Sequence, residues 1–94
     1  MKRLELRPAA RRDLLRHEKQ LQRHSPRAAL RMFDRLTDRL RLLSEHPLIG
    51  IENRPGHREL FVRFGKSSYV IRYQVTDDAV VITRIWHGRQ NRPR

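Results

Sequence analysis

Ninety-four residues with 37% apolar content make one domain, and a chain this short buries only roughly 60–65% of its unfolded surface, so its stability margin is thin. With no cysteine, disulfide staples and thiolate metal sites are excluded, and no apolar run approaches the ~18 residues that span a membrane. The formal charge of +12 is spread along the chain, 13 cations against 6 anions in residues 1–50 and 9 against 4 in residues 51–94, which excludes a disordered basic tail as its source and draws in polyanions or an acidic protein partner.

Residues 2–7 alternate, with Leu4 and Leu6 opposite Arg3, Glu5 and Arg7, the period of a half-buried strand. Pro8 suits the first turn of a helix, predicted over 9–23 with Ala10, Leu14 and Leu21 as its apolar stripe and Leu15 beside it. Ser25-Pro26 restarts the chain as cap and first helical residue. The second helix covers 26–45, with Ala29, Phe33, Leu36, Leu40 and Leu43 as a packing seam at spacings of three and four. Pro47 and Gly50 end it, and 51–56 reads as a loop. Three hairpin-linked strands follow, at about 57–64, 68–75 and 79–87, joined by Gly65-Lys66-Ser67 and Thr76-Asp77-Asp78. Domain 1–90 is then followed by a loose polar tail, 91–94.

The predicted fold is α+β with the order β-α-α-β-β-β. A helical hairpin covers one face of a small, mainly antiparallel four-stranded sheet, because its apolar seam must be buried. The other face is left free, with arginines among aromatics.

Few chemistries suit this chain. The five histidines share no ligand spacing on one predicted face and no carboxylate cluster joins them, so no metal site is expected. Four isolated glycines make no phosphate cradle, and no cofactor is implied. What remains is cationic. Arg63, Arg72 and Arg84 come from three successive strands, Lys66 from a hairpin, and Trp86, His87 and Arg89 from the end of the last strand. Brought together, they would grip phosphate, with Phe61 and Trp86 as stacking surfaces. An arginine beside a histidine could also support acid–base chemistry on RNA. The plainer alternative is a half-solvated strand face with Trp86 in the core.

Several stretches resemble the RelE/ParE superfamily of bacterial type II toxins. They are Leu43-x-x-x-Pro47-x-x-Gly50, then Arg58 to Val62, Tyr69 to Val75, and Val81 to Arg89 with its Ile85-Trp86-His87-Gly88-Arg89 ending. The resemblance covers nearly the whole chain. It implies a cytoplasmic toxin held in a hetero-oligomer by a cognate antitoxin and aimed at one of two targets. The RelE branch cleaves mRNA in the ribosomal A site, and the ParE branch poisons DNA gyrase. The RelE-like catalytic positions fall on Arg63 and Phe61 in place of two lysines, on Val70 in place of an arginine, and on Arg89. No tyrosine follows in 90–94, and His87 stands where related RNA-cleaving toxins use a histidine. The nuclease set would therefore be Arg63, His87 and Arg89. The missing groups favour the gyrase-binding branch, with a ribosome-dependent nuclease or a non-toxic basic module as alternatives. In each case Arg63, Lys66, Arg72, Arg84, Trp86, His87 and Arg89 are the expected binding residues for target or antitoxin.

Overall fold

A computed structural model describes residues 1–90 and Pro93. The order is β1 (Arg3–Leu6), α1 (Pro8–His24), α2 (Pro26–Glu45), β2 (Ile51–Arg54), β3 (His57–Phe64), β4 (Ser67–Val75) and β5 (Ala79–His87). These strands form one sheet in the order β1-β5-β4-β3-β2. β1 runs parallel to β5, and all other pairs are antiparallel. The helices and the three later strands stand where the sequence places them. The sheet has five strands rather than four, because Ile51–Arg54, expected as loop, pairs with the start of β3 as a fully exposed edge. No apolar pattern marks β2, since an edge strand with both faces in water needs none.

Ser25 ends one helix and begins the next. Its N–H donates to the Leu21 carbonyl, and its hydroxyl accepts from the Ala28 N–H at 3.1 Å. Pro26 follows at the first helical position, where its missing N–H costs nothing. The hairpin this makes lays Ala10, Met32, Leu36 and Leu43 against Val62, Ile71, Tyr73, Val80, Ile82 and Ile85. Met32 is fully buried while Phe33 stays 39% exposed, so the seam runs through Met32 and not through Phe33. The expected stripe of α1 is also corrected. Leu14 and Leu21 only pack at the margin of the core, Leu15 is exposed, and Asp13 and His17 are buried.

A register shift in β5 places Arg84 opposite Arg72 but Ile82 opposite Tyr73, leaving Thr83 as an extra residue. Ile82 and Ile85 therefore both reach the core although they are three residues apart. A second device fixes the turn after α2. The Tyr73 hydroxyl accepts from the Gly50 N–H at 2.8 Å and donates to the Pro47 carbonyl at 2.7 Å. A Cβ on Gly50 would stand 2.4 Å from that hydroxyl oxygen, so only glycine fits. The Pro47-to-Gly50 motif is thus one half of a latch whose other half lies on β4.

Candidate functional site

β1 stops opposite Ile82, and β5 continues to His87 with one side bare of a partner strand. α1 satisfies that bare edge with two side chains one turn apart. The Ile85 N–H donates to Asp13 Oδ2 at 2.9 Å, and His17 Nε2 donates to the Ile85 carbonyl at 2.8 Å. Arg84 reaches round the same edge and donates from Nε to Asp13 Oδ2 at 2.7 Å and from Nη2 to Oδ1 at 3.0 Å. Arg16 donates to Oδ1 at 2.7 Å. Burial pushes the Asp13 carboxyl up, but the bonds from Arg84, the Ile85 N–H and Arg16 outweigh it and hold the group below its ordinary value of 3.8. Burial holds the His17 imidazole below its ordinary value of 6.5, and the bond to the Ile85 carbonyl puts a hydrogen on Nε2.

Arg72 is equally engaged. It donates from Nε and Nη2 to Glu59 Oε2 at 3.0 and 2.7 Å, with both side chains 7% exposed. It also donates to the Pro93 carbonyl. The guanidinium carbons of Arg72 and Arg84 lie 4.6 and 4.9 Å from the ring centroid of Trp86, which is buried. The sheet face away from the helices is therefore not the open, guanidinium-studded surface expected. Glu59, Val70, Arg72, Val81 and Trp86 are all buried. The tail expected at 91–94 lies outside the described residues except for Pro93.

The seven expected binding residues thus divide into three sets. Arg72, Arg84 and Trp86 form a structural cluster. Arg63 is exposed on the outer face beside Phe61, opposite Ser68 and four residues along β3 from the Glu59 pair, roughly 13 Å at strand rise. Lys66, His87 and Arg89 meet on the other side, lining a cavity between the end of α1 and the β3–β4 hairpin. His87 packs edge-on against Tyr69 at 5.3 Å between ring centroids and lies 6.5 Å from the His17 ring. Burial holds it below the ordinary 6.5, and Arg89 pushes the same way. Arg63 and His87 are on opposite faces, so the set Arg63, His87 and Arg89 is not assembled as one centre.

The sequence reading missed Asp13 and His17. The available signal was their spacing: residues 10, 13, 17 and 21 share one helical face, and two ionisable groups inside an apolar stripe point to buried partners. Gly88 closes the end of β5 against β4. Its N–H donates to the Ser68 carbonyl at 2.7 Å, and a Cβ there would stand 2.2 Å from the Ser68 hydroxyl oxygen. Among the described residues no three His, Asp or Glu side chains form a cluster able to hold a metal ion, and no helix is long and apolar enough to cross a membrane.

Known proteins are similar to this chain in sequence and in fold. The chain is similar to Toxin RelE3 of Caulobacter vibrioides, at 42% identity over 92 residues, covering 98% of this chain and all of that protein. Toxin RelE1 of the same bacterium is 42% identical over 83 residues, 88% of this chain and 89% of that one. A solved chain from the chromosomal ParDE toxin–antitoxin system of P. aeruginosa superposes with a TM-score of 0.74, covering 93% of this chain and 96% of its own; at 19% identity it bears on the fold alone. The family described as the ParE toxin of the type II toxin–antitoxin system parDE matches residues 4–92. Helical hairpin, mixed sheet and matched length agree with that profile, and the chain belongs to the ParE toxin family of type II toxin–antitoxin systems.

Proposed function

We propose that this toxin arrests growth in the cytoplasm by binding DNA gyrase, and that a cognate antitoxin neutralises it in a hetero-oligomer. The observation that carries this reading is the chemistry of the outer face. Where the RNA-cleaving branch of the superfamily would place charge-stabilising groups, Val70 is 1% exposed and apolar, and Phe61 is a 51% exposed ring. Arg63 stands beside them without an acid–base partner on a neighbouring strand position: its register partner is Ser68, and Val70 and Trp86 follow. A surface of this kind can bind, but it lacks the groups that move protons in phosphodiester cleavage.

Purified toxin should inhibit negative supercoiling by gyrase or accumulate cleaved DNA complexes. Undiminished supercoiling at saturating toxin overturns the proposal. Induction in cells with and without the adjacent antitoxin gene comes first, because normal growth without the antitoxin would favour a non-toxic basic module.

One observation supports the ribosome-dependent nuclease as a second reading. His87 stands beside Lys66 and Arg89 in one cavity, and a histidine flanked by cations is able to exchange protons with a phosphate-bound substrate. Codon-positioned cuts in translating extracts, lost in Lys66→Ala, His87→Ala and Arg89→Ala, would decide for it. Cuts that survive all three substitutions would rule out this cavity as the centre.

A further inference from the structure

The cavity at the end of α1 has a volume of about 560 Å³. Arg23 and His24 enter it from the last turn of α1, Lys66 from the β3–β4 hairpin, and His87 and Arg89 from the end of β5. No carboxylate is among its described lining residues. Arg23 offsets the negative end of the α1 dipole. The two cations from the sheet side, Lys66 and Arg89, are then a surplus of positive charge, and both are exposed. Leu21 and Phe64 add an apolar wall.

His17 closes the inner wall. It is 2% exposed. A carbonyl can only accept, so the bond to Ile85 fixes the hydrogen on Nε2. Nδ1 is sealed from solvent and has no hydrogen-bond partner. The groups facing the ring are Asp13 and Arg16 on α1, Tyr69 on β4 and His87 on β5. Asp13 is already engaged by Arg84, Arg16 and the Ile85 N–H. The bond to the Ile85 carbonyl accounts for a histidine at this position.

We infer that this cavity binds a small phosphate monoester of mononucleotide size. Lys66 and Arg89 hold the dianion, the Leu21–Phe64 wall takes the nucleoside, and His87 adds positive charge as pH falls. The inference goes beyond the toxin's target, since neither gyrase nor ribosome is needed for it.

Titration calorimetry on the full chain at fixed ionic strength tests it with three probes: sulfate, AMP and adenosine. Sulfate keeps its double charge throughout the range used, whereas a phosphate monoester loses part of its own near pH 6. The pH dependence of sulfate binding therefore reports the protein alone. Sulfate should bind tighter at pH 5 than at pH 7, because burial and Arg89 hold His87 below its ordinary 6.5 and it gains charge only below that value. AMP should bind and adenosine should not. Lys66→Ala with Arg89→Ala should weaken AMP binding by about tenfold or more. Arg3→Ala with Arg41→Ala, which removes the same charge at exposed sites outside the cavity, should have little effect. His87→Gln should flatten the pH dependence. Equal losses in the two charge-removing double variants, adenosine binding as tightly as AMP, or an unchanged pH slope in His87→Gln would each overturn the inference.

Discussion

Asp13 accepts hydrogen bonds from three sources at once: the Arg84 guanidinium, the Arg16 guanidinium and the Ile85 backbone N–H. Removing the carboxylate strands an arginine and a bare strand-edge N–H together. Breaking a buried pair from one side costs about 3–5 kcal/mol, and Arg84, still partly solvated at 37% exposure, sets the lower end. Asp13→Ala should therefore lose about 3 kcal/mol in urea unfolding. Arg84→Ala should lose clearly less, because Asp13 keeps Arg16 and the N–H. Equal losses would mean that the edge bond to Ile85 contributes nothing. Tyr73→Phe removes the hydroxyl that serves both Gly50 and Pro47. It should cost about 1–3 kcal/mol, the usual penalty for leaving a buried polar group unpaired.

At the scale of elements, α2 offers a direct comparison between adjacent residues. Met32 is fully buried and Phe33 is largely at the surface. Met32→Ala should cost about 2–5 kcal/mol, the range for large-to-small substitution in a core. Phe33→Ala should cost under about 1 kcal/mol, in the range of surface substitutions away from special features or a little above it. Chemical denaturation of the two variants checks this, and a reversed order would place the seam through Phe33 after all. α1 differs in kind from α2. Its buried face is partly polar because it substitutes for a missing strand along β5, and hydrogen-bonding groups rather than aliphatic ones must stand there.

For the whole molecule, the lowered values of His17 and His87 make stability depend on pH. The unfolded chain takes up protons near pH 6.5 and the folded chain does so only at lower pH, so the unfolded state binds more protons in between. This contribution is fully present above about pH 6.5 and is lost as pH falls through the folded values. Asp13 adds a second loss below its ordinary 3.8, as the pH falls through its own lowered value. Midpoints of urea unfolding should drop from pH 7 to pH 5, and His17→Gln should shrink that drop. An unchanged drop would assign it elsewhere. The net charge of +12 should also give salt-sensitive retention on heparin. Binding of an acidic antitoxin segment should reduce it, and equal retention of free and complexed toxin would count against an antitoxin seated on the basic surface.

Amphipathic periodicity by itself determined the two helices, their shared boundary at Ser25-Pro26 and the three later strands, because each of these signals is local: alternation, cap and proline act within a turn or a strand. Lys66, His87 and Arg89, expected from the sequence as binding residues, line one cavity. Only the tertiary structure decided what the other cations do. Arg72 and Arg84 look like free surface charges in the sequence, but Glu59 lies 13 residues away from the first and Asp13 lies 71 residues away from the second. The same holds for β2, which exists only because β3 offers it an edge, and for His17, whose partner is a carbonyl 68 residues on. Charge pairing and edge satisfaction are long-range in the chain and short-range in space, so a periodic pattern carries no trace of them until the sheet order β1-β5-β4-β3-β2 is laid down.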